Sequence, residues 1–373
     1  MQFSAEDERY MREALQLAAQ GQGAAEPNPM VGCVLVQAGQ VIGRGYHAKY
    51  GGPHAERAAL ADSSGQPTRG ATAYVTLEPC CHHGKTPPCT DALIAAEVAR
   101  VVIAQQDPFG LVDGGGIDLL KQAGITVEVG LLEAEAKRLN APYRKLLATG
   151  RPWVIAKWAM TLDGKLATHT GHSRWISNEL ARERVHRLRG RMDAIVVGSR
   201  TAQLDDPQLT VRPPGMRTPL RVVVDGEATL SPTSQLVQTA HQTPVLVAVK
   251  KGADAQRCRV LSDAGCEVFV CGGEGHAARL DALLAELGKR RLTNILVEGG
   301  AGLLGEFLKL GQIDEVYAFV APKLIGGSGA PSPIGGTGWA DMSEALQLTD
   351  VTIEPLGDNV LMHGLAGGNF TKQ

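Results

Sequence analysis

The chain has 373 residues, 44% hydrophobic and 20% charged, with a formal net charge of -2 and a pI near 6.6. That length exceeds one compact core and suggests two domains or three, and the charge balance gives no general attraction to a nucleic-acid backbone. No apolar run is long enough to span a membrane, and Glu6, Asp7 and Glu8 stand where a signal peptide needs basic and then apolar residues, so a cytoplasmic protein is expected.

Residues 6–20 place Tyr10, Met11, Ala14, Leu15, Leu17 and Ala18 at helical spacing, with Gly21 and Gly23 ending the run. Pro27-Asn28-Pro29 is a turn. Residues 31–36 read as a buried strand, and 40–45 as its hairpin return through Ala38-Gly39. Pro53 precedes a helix over 54–60, whose first turn holds His54 and Glu56. A strand over 71–77, a helix over 89–96 and strands over 100–104 and 125–129 complete an alternation typical of an α/β layered domain. Residues 133–149 predict one amphipathic helix. Arg151-Pro152 then marks a boundary, dividing the chain into domains 1–148 and 149–373.

The second half alternates too. A strand over 153–157 and apolar runs at 194–197, 220–224, 245–249, 295–297 and 316–320 are separated by helical stretches near 178–190, 253–264, 279–290 and 302–310. Ser177 is the expected cap of the first of these helices. Residues 345–366 read as two final strands, giving an α/β domain with an antiparallel edge. Within it, Ile295-Leu296-Val297-Glu298-Gly299-Gly300 runs from a strand straight into a helix. Backbone N–H groups at such a start can hold a phosphate, although Gly-rich strand-to-helix turns are more often simple tight turns. The segment is neither a Gly-x-Gly-x-x-Gly fingerprint nor a Walker loop.

The chemistry concentrates between Gly52 and Cys89. Seven cysteines, an odd number in a long chain, argue against a disulfide framework. Cys33, Cys258, Cys266 and Cys271 read as plain thiols, whereas Cys80, Cys81 and Cys89 sit in a metal-like setting. His54, with Glu56 two residues on, and a Pro79-Cys80 step followed by Cys89 form the pattern of a catalytic zinc site. Three protein ligands leave a fourth position for water, whose pKa the metal lowers to about 7, and a glutamate beside the metal shuttles protons. Cys81, His82 and His83 remain spare ligands. The cysteine spacing is wider than the Cys-x-x-Cys usual for zinc deaminases.

These segments together resemble one family over almost the whole chain: the bifunctional deaminase–reductases of riboflavin biosynthesis. The first-half markers are Pro27-Asn28-Pro29, Gly45-Tyr46-His47, Pro53-His54-Ala55-Glu56, Thr76-Leu77-Glu78-Pro79-Cys80 and His82 to Cys89. The second-half markers are Lys157, Leu162-Asp163-Gly164-Lys165, Ser173 with Trp175-Ile176, Asp205-Asp206-Pro207, Val297-Glu298-Gly299-Gly300 and Ala321-Pro322-Lys323. Cys81 departs from the serine expected there.

The resemblance implies a cytidine-deaminase-like α/β/α domain followed by a dihydrofolate-reductase-like α/β domain. It implies one zinc ion on His54, Cys80 and Cys89, with Glu56 moving protons, and Asn28, His47 and Lys85 near the pyrimidine or its phosphate. It further implies NADPH held by Ala159, Trp175, Thr201, Asp205 and the loop Gly300, Ala301, Gly302, Leu303, Leu304, Gly305 and Glu306. Substrate would lie on Ser173, Arg189, Leu209, Arg212 and Glu298, with Arg189 and Arg212 as phosphate clamps and Lys157 and Glu298 as catalytic proton carriers. The reactions implied are deamination of 2,5-diamino-6-(ribosylamino)-4(3H)-pyrimidinone 5′-phosphate and NADPH reduction of the ribosyl group of its product to ribityl. The partners expected are these small molecules and, as a homo-oligomer, other copies of the chain, in a dimer or tetramer.

Two other classes use the same zinc pattern. A zinc deaminase acting on a base in nucleic acid needs a basic groove and stacking aromatics, whereas aromatics make up 4% of this chain. A binding protein with structural zinc needs a fourth protein ligand and leaves Glu56 and the second domain without a purpose.

Overall fold

The computed structural model describes residues 3–82, 87–110, 112–212 and 217–367. The chain divides into two units, Met1–Gly150 and Arg151–Gln373, and each is an α/β layered structure.

In the first unit a helix over Ala5–Ala19 starts on a reciprocal cap: Asp7 N–H donates to Ser4 Oγ, and Ser4 N–H donates to the Asp7 carboxylate. The sheet comprises β1 (Gly32–Gln37), β2 (Gln40–Tyr46), β3 (Thr72–Val75), β4 (Arg100–Ile103) and β5 (Thr126–Val129), in the order β2-β1-β3-β4-β5. β1 is antiparallel to both neighbours, while β3, β4 and β5 run parallel. Alternation along β1 splits the core: Cys33 and Leu35 pack with Ala55, Ala59, Leu93 and Leu120, whereas Val34 and Val36 pack with Tyr10, Met11 and Ala14. Helices therefore cover both faces. One of them, Ala55–Asp62, lies unusually close to β2 because Gly43 and Gly45 lack side chains. A Cβ would stand 2.3 Å from the Ala59 carbonyl oxygen at Gly43 and 2.3 Å from that of Ala55 at Gly45.

The single helix expected over 133–149 is two, Glu133–Leu139 and Ala141–Thr149. Asn140 interrupts them because its buried amide pairs with another part of the chain: Oδ1 accepts Met30 N–H at 2.8 Å, and Nδ2 donates to the Met30 carbonyl at 2.9 Å. Hydrophobic periodicity carries no trace of such a bond.

The second unit contains β6 (Trp153–Thr161), β7 (Ala194–Gly198), β8 (Leu220–Val224), β9 (Val245–Lys250), β10 (Glu267–Cys271), β11 (Asn294–Glu298), β12 (Glu315–Ala321), β13 (Leu348–Leu356) and β14 (Asn359–Ala366), in the order β10-β9-β8-β7-β11-β6-β12-β14-β13. All pairs are parallel except those made by β14, which forms the expected antiparallel edge. Val154, Ala156, Val196, Val222 and Val297 pack with Leu280, Leu283, Leu284 and Leu287 of the helix Gly275–Lys289 and with Leu304 and Phe307 of the helix Ala301–Lys309. The helix Glu179–Arg189 is capped by Asn178, one residue beyond Ser177, through Ala181 N–H to Asn178 Oδ1. β10 and the short helices Ser199–Asp205 and Gln235–Gln238 escape the sequence reading, since elements this short are stabilised by packing rather than by their own periodicity. Among the described residues no helix is long and apolar enough to cross a membrane.

Candidate active sites

The first site forms where two helices begin. His54 is the N-cap residue of Ala55–Asp62, and Cys89 is the first residue of Cys89–Ala95. His54 Nδ1 lies 3.4 Å from Cys80 Sγ and 3.4 Å from Cys89 Sγ, and the three atoms fall within 4.8 Å of one another. A zinc ion bound at about 2.1 Å to nitrogen and 2.3 Å to sulfur, with tetrahedral angles, gives N···S separations of roughly 3.6 Å. The donor set of one imidazole and two thiols also suits zinc, so the residues present fit the ion. Cys81 and His82 stand outside this cluster, and His83 lies outside the described residues.

The electrostatics agree with a metal-ready set. Hydrogen bonding from Cys89 and His54 holds the Cys80 thiol down at about 4, against the opposing effect of burial. The Cys89 thiol is pushed up by sharing its proton with Cys80, and the bond to Cys80 raises His54. Glu56 is 3% exposed in the first turn of its helix. Burial first, then the charge of Cys80, push its carboxyl up to about 7.

Two further predicted residues join this site. His47 donates Nδ1–H to the Pro53 carbonyl at 2.9 Å, which leaves Nε2 to accept from Asn28 Nδ2 at 3.2 Å. Its ring meets that of His54 edge to face, with centroids 5.3 Å apart, and burial lowers its pKa. A neutral imidazole of fixed tautomer results. Lys85 lies outside the described residues. Glu78, in the sequence only a position of the Thr76-to-Cys80 motif, is buried two residues before Cys80.

The second unit has a cleft of about 1870 Å³ at the carboxyl ends of its parallel strands, where open α/β sheets bind ligands. It is lined by Lys157, Ala159, Ser173, Trp175, Thr201, Asp205, Leu209, Arg212, Gly300, Ala301, Gly302, Leu303 and Glu306, together with Arg189 and Glu298. Two expected cofactor residues do not reach it. Leu304 is fully buried in the core, and Gly305 packs against the Gly335 backbone, because both lie on the inward face of the helix Ala301–Lys309. No side chain caps that helix, whose start at Gly300 donates N–H to Thr201 Oγ1 at 3.1 Å. An uncapped helix start in a roomy cleft suits a dinucleotide diphosphate. Arg182 covers the exposed Trp175 ring at 4.7 Å.

Among the described residues, Glu298 is the cleft residue with the most charged partners: Lys157 and Arg189 both reach its carboxylate. β6 and β11 run parallel in a register that sets Lys157 beside Glu298, and Lys157 Nζ lies 3.4 Å from Glu298 Oε2. Arg189 reaches the same carboxylate with Nε at 2.5 Å and Nη2 at 2.9 Å. Arg189 therefore does not present its whole fork to a substrate phosphate, as the sequence reading expected, because one edge is bound to Glu298. Burial alone would raise Glu298; the two cations, Arg189 foremost, hold it down at about 2. Arg212 is exposed, and its Nη2 donates to Gln208 Oε1 at 2.6 Å.

Comparison with known proteins accounts for both halves. Residues 4–105 match the cytidine and deoxycytidylate deaminase zinc-binding region, and residues 152–362 match the RibD C-terminal domain. The chain is 42% identical to the riboflavin biosynthesis protein RibD of Actinobacillus pleuropneumoniae, covering 95% of this chain and 93% of that one. It is 40% identical to the RibD of Escherichia coli K12, covering 96% and 99%. Among solved structures, Acinetobacter baumannii RibD superposes with a TM-score of 0.84 at 36% identity, over 97% of this chain and 99% of that one. The Thermotoga maritima diaminohydroxyphosphoribosylaminopyrimidine deaminase/5-amino-6-(5-phosphoribosylamino)uracil reductase does so with 0.84 at 35%, with the same coverage. The chain belongs to the RibD family of bifunctional riboflavin-biosynthesis deaminase–reductases.

Proposed function

We propose that the first unit deaminates 2,5-diamino-6-(ribosylamino)-4(3H)-pyrimidinone 5′-phosphate and that the second reduces the ribosyl group of the product to ribityl with NADPH. The observation that carries this reading is the convergence of His54, Cys80 and Cys89 beside a buried glutamate, in a chain whose other half holds a separate cleft.

His54, Cys80 and Cys89 hold the zinc ion, which supplies Lewis acidity toward a water. Glu56 takes a proton from the attacking water and delivers it to the ring nitrogen. It then takes the proton of the newly added hydroxyl and delivers it to the amino group, which leaves as ammonia as the carbonyl forms. Burial raises the pKa of the Glu56 carboxyl, which favours a group that takes and gives up a proton in turn. Asn28 and His47, locked together, orient the pyrimidine, and Lys85 meets the phosphate.

In the second unit Ala159, Trp175, Thr201, Asp205 and the Gly300–Leu303 turn with Glu306 hold NADPH, which supplies the hydride. Ser173, Leu209 and Arg212 seat the ribosyl phosphate. Lys157 and Glu298 manage the proton at the reacting sugar, and Arg189 fixes the Glu298 carboxylate while keeping Nη1 for substrate. The exposed Val351 and Ile353 on edge strand β13 support a homo-oligomer, dimer or tetramer. The absence of disulfides among the described residues supports a cytoplasmic enzyme.

The test incubates the full chain with the diaminopyrimidine phosphate, with and without NADPH, and identifies products by mass. Deamination without NADPH and ribityl product only with it are expected; no ammonia release refutes the reading. Chelation of zinc is expected to stop ammonia release and spare NADPH oxidation on deaminated substrate, measured by absorbance. Replacing Arg212 with Ala removes a charged phosphate contact worth about 1.5–3 kcal/mol. The reductase KM is expected to rise roughly ten- to hundredfold with deamination unchanged, and an unaltered KM removes Arg212 from the phosphate site.

A further inference from the structure

Glu78 stands two residues before Cys80, and its side chain is buried, 3% exposed. Its carboxylate accepts four backbone N–H groups. Oε2 takes Asp107 at 3.2 Å and Gly114 at 3.1 Å, and Oε1 takes Gly116 at 2.9 Å and Ile117 at 3.2 Å. Three of these donors belong to the start of the helix Gly115–Gln122, whose N-cap, Gly114, has no side chain to cap it. A carboxylate has about four lone-pair sites, so Glu78 is saturated by this one task. Its own N–H donates to the Gln105 carbonyl at 3.0 Å.

The attachment continues to the metal ligands. Pro79 restricts the backbone between Glu78 and Cys80. The Cys80 carbonyl accepts Cys89 N–H at 3.1 Å and Thr90 N–H at 3.2 Å, while Cys80 Sγ accepts from Cys89 N–H at 3.4 Å. From the opposite side the helix touches the same segment, since a Cβ on Gly116 would stand 2.1 Å from the Pro79 carbonyl oxygen and 3.2 Å from Glu78 Oε1. The helix start, Glu78, Cys80 and Cys89 thus form one bonded series, with Glu78 as the link between helix and ligand loop.

We propose that Glu78 is a positioning residue of the metal site. By fastening the Glu78-Pro79-Cys80 segment to the helix Gly115–Gln122, it sets where Cys80 Sγ stands relative to His54 Nδ1 and Cys89 Sγ. The proposal rests on the zinc reading of this cluster. Groups that hold metal ligands in place typically contribute about 10–100-fold in metal affinity. Glu78→Gln keeps the size of the side chain but turns one acceptor oxygen into an NH2 facing N–H donors.

The experiment uses the full chain carrying Glu78→Gln or Gly116→Ala. Zinc affinity is measured by competition with a chromophoric chelator, and ligand geometry by the thiolate-to-metal absorption of the cobalt-substituted protein. Both variants are expected to bind zinc about 10–100-fold more weakly and to change the cobalt spectrum, with NADPH oxidation on deaminated substrate unchanged. A folded Glu78→Gln protein with wild-type zinc affinity and an unchanged cobalt spectrum overturns the proposal. If Glu78→Gln does not fold, Gly116→Ala decides on the same two readouts, because its Cβ pushes on the Pro79 carbonyl and on Glu78 without removing the carboxylate. Failure of the zinc reading looks different: the wild-type chain would then bind no zinc, or Cys80→Ser would bind it as tightly as wild type.

Discussion

Glu56→Gln is expected to leave zinc bound and to lower deamination by about 10³-fold, within the range of general acid–base catalysis. Glutamine matches glutamate in shape, so the buried pocket that holds residue 56 at 3% exposure remains filled, and the ligand atoms of His54, Cys80 and Cys89 are untouched. What disappears is the group that accepts the water's proton and returns it to the leaving ammonia. Ammonia release, zinc content by elemental analysis and NADPH oxidation on deaminated substrate separate these effects within one chain. Deamination within tenfold of wild type would remove Glu56 from the proton path; loss of zinc instead would make it part of the metal's support.

Glu298→Gln has the largest expected effect on the second unit. Lys157 and Arg189 side chains are 14% and 16% exposed around a carboxylate that is 11% exposed, so the substitution leaves two largely buried cations without their counter-charge. Breaking such a pair by removing one partner costs about 3–5 kcal/mol. All four tryptophans, Trp153, Trp158, Trp175 and Trp339, lie beyond residue 150, so denaturant unfolding followed by tryptophan fluorescence reads this unit. Reductase turnover should fall with it, while deamination continues.

The pH dependence has a defined sign. A carboxyl at about 2 in the folded unit, against about 4.3 when unfolded, contributes stability that is present above about 4.3 and is lost as pH falls toward 2. The wild-type fluorescence midpoint should decline across that window, and Glu298→Gln should flatten the decline. An unchanged midpoint and an unchanged pH slope would show that the ion cluster contributes nothing.

The grouping of His54, Cys80 and Cys89 that the structure brings together was legible because they lie within 36 residues of one another and each stands out chemically: His54 with Glu56, Cys80 after a proline, Cys89 opening a helix. The layered α/β architecture was legible for a related reason, since strands and helices long enough to show a period state their type locally. The break at Asn140, the seven-residue helix at Ser199 and strand β10 were not, because each depends on a partner distant in sequence. The same holds for the inward-facing side of the helix Ala301–Lys309. A run of expected cofactor contacts from Gly300 to Glu306 ignores that successive helical residues point around the axis: Leu304 points to the core and Gly305 faces the Gly335 backbone.

The sequence by itself determined where the metal-binding and ionisable side chains stand along the chain and that they come in two sets, one with metal-binding character and one on strands with glycine-rich ends. Only the tertiary structure decided which of those groups touch. The parallel register of β6 and β11 brings Lys157 to Glu298 across 141 residues, and Arg189 arrives from a helix 109 residues away. Charges so far apart meet only when the sheet forms, and their electrostatics follow from burial, which no local pattern encodes.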